Sequence, residues 1–178
     1  MEPVYTTGET LFTEKEIAAR VDGLAGRIAS ETPGNELLAV GILNGAAIFL
    51  SDLVRRMPPE LDVRMDFMSV SSYGAATQSS GAVRILKDIG SGIEGRDVLI
   101  VEDIVDTGLT LSYLLKILNA RRPASLRTCA LLDKREKREA DVKIDYFGFV
   151  IPDAFVVGYG LDCGGRWRHL PDIRTVNP

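Results

Sequence analysis

The chain has 178 residues, 46% of them apolar, and its 21 basic and 25 acidic residues leave a formal net charge of −4. That length holds one domain with a real core, 1–178, and the mixed charge supplies no positive field for DNA or RNA, so no nucleic-acid partner is expected. No apolar run reaches the length of a membrane span, the start Met1-Glu2-Pro3-Val4-Tyr5 is not that of a signal peptide, and two cysteines with a lone His169 exclude a disulfide framework or a polyhistidine metal site. A cytoplasmic protein with no membrane partner and with Cys129 and Cys163 reduced is the expectation.

Thr13 and Glu16 have the capping-box spacing, and Ile17, Val21, Leu24, Ala25 and Ile28 recur at helical intervals until Pro33-Gly34, which predicts a first amphipathic helix. Glu36 to Leu43 reads as a buried strand, Asn44-Gly45-Ala46 as a tight turn, and Ile48 to Arg56 as a helix ending before Pro58-Pro59. Asp62 to Val70 and Ala82 to Asp88 are the next predicted strands, and the small polar stretch Ser71 to Gly81 between them reads as a mobile loop. Asp97 to Val101 is a strand, Leu111 to Arg121 a helix closed by Pro123, and Ser125 to Asp133 another strand. Acids interrupt the basic run Lys134 to Glu139, which favours a solvated loop or short helix over a binding stripe. Tyr146 to Val150 and Phe155 to Tyr159 are short β segments flanking Pro152-Asp153, and the tail from Leu170 to Ile173 shows no clear period. Strands alternating with helices predict an α/β fold, a mostly parallel twisted sheet with helices on both faces.

The stretch Val98 to Leu111 carries the chemistry. Four aliphatics, Val98 to Val101, run into Glu102 and Asp103, then Asp106, then a loop of Thr107, Gly108 and Thr110 that opens the helix beginning at Leu111. Open α/β sheets bind ligands at such junctions, where free N–H groups and the positive end of the helix dipole suit a phosphate and a glycine permits close approach. Glu102 and Asp103 can accept hydrogen bonds from a vicinal diol or hold Mg²⁺ through oxygen, while Asp106 faces whatever the phosphate carries. A sugar phosphate satisfies both halves. Three carboxylates, a glycine and two threonines in one loop are too many for a plain turn.

Val101-Glu102-Asp103-Ile104-Val105-Asp106-Thr107-Gly108-Leu109-Thr110 resembles the 5-phosphoribosyl-diphosphate (PRPP) signature of type I phosphoribosyltransferases, in the form of the hypoxanthine-guanine phosphoribosyltransferase branch. The resemblance runs colinearly over roughly Glu36 to Ile173, and it implies a small hood formed by the N- and C-terminal segments. It implies purine salvage: transfer of the phosphoribosyl group from PRPP to N9 of hypoxanthine or guanine, giving IMP or GMP plus diphosphate, with Mg²⁺ as cofactor. By the same resemblance Glu102, Asp103, Asp106, Thr107, Gly108 and Thr110 bind the phosphoribosyl group, with Asp106 catalytic near purine N7. Asn44, Gly45 and Arg168 hold diphosphate, and relatives commonly have lysine where this chain has Asn44. Lys134, Phe155 and Val156 bind the purine, the lysine facing its 6-oxo group and the phenylalanine its face. Ser72 and Tyr73 open a lid that excludes water, and Glu102, Asp103 and Asp162 are the metal candidates. Cys163-Gly164-Gly165-Arg166-Trp167 departs from the aromatic-rich form of the family, which leaves Arg166 as an alternative to Arg168. A family habit of dimers or tetramers implies a homodimer or homotetramer. Two alternatives stand beside the enzyme: a PRPP-sensing regulator on the same fold, or a xanthine-preferring transferase.

Overall fold

A computed structural model describes residues 5–72 and 83–177. In chain order the elements are β1 (Thr6–Phe12), α1 (Glu14–Glu31), β2 (Glu36–Leu43), α2 (Ala46–Arg55), β3 (Asp62–Ser72), β4 (Val83–Lys87), β5 (Asp97–Val105), α3 (Leu109–Asn119), β6 (Ser125–Asp133), β7 (Tyr146–Val150), β8 (Val156–Val157) and β9 (Ile173–Asn177). A short 3-10 turn occupies Arg135–Lys137. Six strands form one sheet in the order β4-β3-β2-β5-β6-β7, and β1-β9-β8 form a second of three strands. The large sheet is parallel except where β4 runs antiparallel to β3.

The capping box forms as the spacing demands: the Thr13 hydroxyl accepts from the Glu16 amide, and the Glu16 carboxylate accepts from the Thr13 amide. The buried face of α1 is Ile17, Val21, Leu24, Ala25 and Ile28, the same five residues its periodicity selects. That face joins Phe49, Leu50 and Leu53 of α2 in one core, together with Leu37, Ala39, Leu99 and Val101 from the sheet. The alternate residues Leu38, Val40, Ile42, Val98 and Ile100 point the other way and pack with Leu111, Leu114 and Leu118 of α3. Strand alternation thus gives β2 and β5 two apolar faces, and each face carries its own helices.

The neighbours β2 and β5 feed helices on opposite faces, α2 with α1 and α3 on the other side, so the crevice beyond their carboxyl ends is a topological switch point. Several boundaries differ from the sequence reading. β5 continues to Val105 rather than stopping at Val101, because its pairing with β6 extends to Val105–Asp133 after its pairing with β2 has ended at Val101. Glu102 and Asp103 are therefore strand residues at a half-open edge. The segments β1 and β9 have no clear alternation because β1 has register shifts at Thr7/Thr10 and Thr10/Phe12, yet they pair with each other and form the hood. Of Phe155 to Tyr159 only Val156–Val157 is strand, since Gly158, Tyr159 and Gly160 all take positive φ. Tyr73 and the segment to Gly81 lie outside the described residues.

Candidate active site

Two loops meet at the switch point. The first joins β2 to α2 through Leu43, Asn44 and Gly45, with a cis peptide between Leu43 and Asn44. The second joins β5 to α3 through Asp106, Thr107 and Gly108. Where α1 is sealed by its capping box, the N-cap residues of α2 and α3 are Gly45 and Gly108, which give no side-chain cap; the Ala47 amide donates to the Asn44 carbonyl at 3.3 Å and the Leu109 amide to the Thr107 hydroxyl at 3.4 Å, a long contact that an anion can replace.

Gly108 stands in the left-handed region with φ 79°, and a Cβ there would also sit 2.8 Å from Arg138 Cδ and Val142 Cγ2. Beside it lies a cavity of about 210 Å³ lined by Ile42, Glu102, Ile104, Val105, Asp106, Thr107, Gly108, Thr110 and Leu111. Glu102 shares that cavity with the threonine loop. Asp103 lies toward the α2 side, where the loop carrying Gly45 passes so close that a Cβ on Gly45 would overlap the Asp103 carboxylate. The loop after β8 closes in as well: a Cβ on Gly160, where φ is 101°, would overlap the Gly45 carbonyl oxygen. A larger hollow of about 640 Å³ between α1 and β7 is lined by Glu16, Arg20, Gly23, Arg27, Phe147 and Phe149 among others, so size alone does not locate the chemistry.

Burial sets the electrostatics. Glu102 is 9% exposed, and burial, with the charge of Asp103 adding to it, pushes its carboxyl well above the ordinary range. Asp103 is pushed up to about 6, chiefly by burial; the Ile104 amide and the Arg168 guanidinium oppose that rise, and Asp162 adds to it. Arg168 itself pairs with Asp162 at 2.6 Å and donates to the Gly160 carbonyl at 2.6 Å. Arg166 instead has its guanidinium 4.9 Å from the Trp167 ring centre. Both Asp162 oxygens are engaged, one by Arg168 and one by the Gly165 amide at 2.6 Å.

Among the described residues no three acidic, histidine or cysteine side chains converge on one point. Glu102 and Asp103, adjacent carboxylates of which the first is buried and the second half-buried, fit a divalent cation that takes its remaining ligands from substrate oxygens and water, as Mg²⁺ commonly does.

Lys134 follows β6 and is buried, in contrast to the solvated reading of its charge run. Its ammonium lies 3.8 Å from Asp106 and 3.5 Å from Asp153. Asp153 in turn ties this lysine to the segment that continues into Phe155 and Val156. Phe155 is 54% exposed, while Val156 is buried and paired with Thr175 in the hood. Lys134 thus stands beside Asp106, which itself lines the cavity with the threonine loop.

The phosphoribosyl transferase domain family matches residues 7–163 of this sequence. The chain belongs to the phosphoribosyltransferase family. A hypoxanthine-guanine phosphoribosyltransferase of Bacillus subtilis (strain 168) is 48% identical over 170 residues, 96% of this chain and 93% of that protein. One from Mycobacterium avium is 53% identical over 175 residues, 94% of this chain and 85% of the relative. A solved Trypanosoma cruzi hypoxanthine phosphoribosyltransferase, in complex with the product IMP, superposes with a TM-score of 0.89 at 47% identity, covering 97% of this chain and 95% of that one.

For this phosphoribosyltransferase, sequence reading missed three residues beside the site: Asp133, Arg138 and Asp153. Asp133 is buried and paired with Arg135 and Arg138. Arg138 is turned inward, donating from Nε to the Asp106 carbonyl at 3.1 Å. Only the adjacency of Asp133 to Lys134 hinted at this, and a run of alternating charges does not reveal which of its members point inward.

Proposed function

We propose that this phosphoribosyltransferase transfers the 5-phosphoribosyl group of PRPP to N9 of a 6-oxopurine, hypoxanthine or guanine, with release of diphosphate, as a purine-salvage enzyme. The observation that carries the reading is the buried Lys134 held 3.8 Å from Asp106, which in turn lines the cavity of about 210 Å³ with Thr107, Gly108 and Thr110. Phosphate binds at the open amino end of α3, the ribose diol meets Glu102 and Asp103, and the diphosphate lies along Asn44, Gly45 and Arg168. With asparagine at position 44, backbone donors of that turn carry more of the diphosphate contact. Phe155 stacks on the purine, the Val156 backbone meets its edge, and Lys134 donates to the 6-oxo group, where the 6-amino group of adenine would set donor against donor.

Breaking of the bond to diphosphate runs ahead of attack by N9, so positive charge grows on the ribosyl ring and Glu102 and Asp103 stabilise it. Asp106 accepts the proton from purine N7 and also stands as a fixed negative charge beside the ring. Glu102 and Asp103, with Asp162 as a further candidate, would hold Mg²⁺, which when bound would offset the charge of the departing diphosphate. Ser72 and Tyr73 open the segment assigned to exclude water. The proposed assembly is a homodimer or homotetramer, as the family resemblance implies. No described helix is long and apolar enough to cross a membrane; a cytoplasmic enzyme of one domain is the organisation proposed.

The deciding experiment is purified protein with PRPP and Mg²⁺ assayed for diphosphate release with hypoxanthine, guanine, xanthine and adenine in turn. Release with the first two is expected. Preference for xanthine would change the substrate, and no release with any base would move weight to a PRPP-sensing role.

A further inference from the structure

Three consecutive carbonyls of the loop after β5 are held by one segment of chain. The Val105 oxygen accepts from the Lys134 amide at 3.0 Å, and the Thr107 oxygen from the amides of Glu139 and Ala140 at 2.9 and 3.0 Å. Between them, the Asp106 oxygen accepts from Arg138 Nε at 3.1 Å, and an outer Arg138 nitrogen lies 3.5 Å from the Val105 oxygen. Leu43–Asn44 is the cis peptide among the described residues, so the peptides of this loop are trans, and in a trans peptide the C=O and the following N–H point in opposite directions. Tying down the oxygens of Val105, Asp106 and Thr107 therefore turns the N–H groups of Asp106, Thr107 and Gly108 away from the Lys134–Ala140 segment. The cavity lined by Asp106, Thr107, Gly108 and Thr110 lies on that loop, and successive amides turned to one side make an anion-binding nest.

Two of the three carbonyls are held by backbone amides, which any sequence supplies. The middle one depends on a side chain. Arg138 is 18% exposed and is fixed by its ion pair to Asp133, itself only 5% exposed at the end of β6. We propose that Arg138 is a positioning residue for phosphate: with Asp133 as its anchor, it holds the Asp106 peptide so that the loop amides face the 5′-phosphate of PRPP. The planar guanidinium suits this because it can donate to two carbonyls and a carboxylate at once, which an ammonium on a flexible stem does less well. Arg138 touches neither phosphate nor purine in this role.

The inference rests on the proposed reaction, and its test separates the two. Steady-state constants for PRPP and hypoxanthine are measured for the wild type, Arg138→Ala, Arg138→Lys and Arg135→Ala. Arg135 also pairs with Asp133 but is 54% exposed, so its variant controls for loss of charge beside Asp133. Arg138→Ala is expected to raise KM for PRPP about 10-fold, the loss of a charge-assisted hydrogen bond, with KM for hypoxanthine changed less than about 2-fold. Added guanidinium ion should restore part of the PRPP affinity, Arg138→Lys should recover less than half of it, and Arg135→Ala should match the wild type. A PRPP constant unchanged in Arg138→Ala, or purine and PRPP constants rising together, or full recovery by lysine, would overturn the assignment. Wild-type protein that releases no diphosphate would sink the functional reading instead, and direct titration of PRPP into each variant would still read the role of Arg138.

Discussion

The Lys134 ammonium lies between two carboxylates, 3.8 Å from Asp106 and 3.5 Å from Asp153, with only 8% of its side chain exposed. Neither separation is that of a tight ion pair, so the three N–H donors retain capacity for a further acceptor. Lys134→Ala should raise KM for hypoxanthine and guanine at least about 10-fold while leaving KM for PRPP within about 2-fold, the loss of one charge-assisted hydrogen bond to the base. Equal losses for both substrates would make Lys134 a structural residue, whose removal leaves Asp106 and Asp153 without their shared cation.

Asp106 lines the cavity of the threonine loop and its carboxylate lies 3.8 Å from Lys134, which under the proposed reaction sets it between the sugar and the base. Asp106→Asn keeps the shape and removes the proton acceptor. Turnover is expected to fall about 10²-fold or more, the usual contribution of a general base, with little change in either KM. Single-turnover measurements at saturating substrate check it; near-normal turnover would remove the catalytic role.

Burial raises the Asp103 carboxyl to about 6, against an ordinary value of 3.8. The folded protein therefore binds this proton more tightly than the unfolded chain, and ionising the group costs native stability as pH rises through about 6. At pH 8 that cost is present in full; below the unfolded value it is absent. Asp103→Asn, with metal and PRPP left out, should raise Tm at pH 8 by about 3 °C and leave it nearly unchanged at pH 3.5. A gain confined to low pH would contradict the sign. The stabilised variant should also bind PRPP with Mg²⁺ more weakly, a cost in function of the kind expected where charges are buried for a ligand.

Gly45 leaves room for nothing larger than hydrogen, because its Cβ position is already filled by the Asp103 carboxylate. Gly45→Ala must displace either that side chain or the turn that begins α2. A rise of about 10-fold or more in KM for PRPP is expected, with a stability loss of about 1–3 kcal/mol from overpacking. Isothermal denaturation and initial rates measure the two effects separately. Wild-type affinity in this variant would show that the turn and Asp103 are not coupled.

Much of this was legible in the residue order because it depends on local rules. The capping box of Thr13 and Glu16, the apolar stripe of α1 and the two-faced strands β2 and β5 follow from periods of 3.6 and 2, which no distant contact needs to adjust. The hood strands β1 and β9 were not legible as strands, since bulges break the alternation in β1 and its partner lies more than 160 positions away in the chain, as in Thr6 opposite Asn177. Within Lys134 to Glu139, sign alternation is the same whether a residue faces water or protein. Lys134 and Arg138 turn inward because buried Asp133 and the carbonyls of the Asp106 loop are there to meet them.

By itself, then, the sequence determined that a glycine-threonine loop with three carboxylates stands between a buried strand and a helix, because a contiguous segment carries its own geometry. Only the tertiary structure decided that Glu102 opens to the threonine loop while Asp103 meets Gly45, that Arg168 pairs with Asp162 while Arg166 lies over Trp167, and that Arg138 donates to the Asp106 carbonyl. Those choices are set by which groups must be satisfied when they leave water together, and that becomes known only once distant segments have been brought side by side.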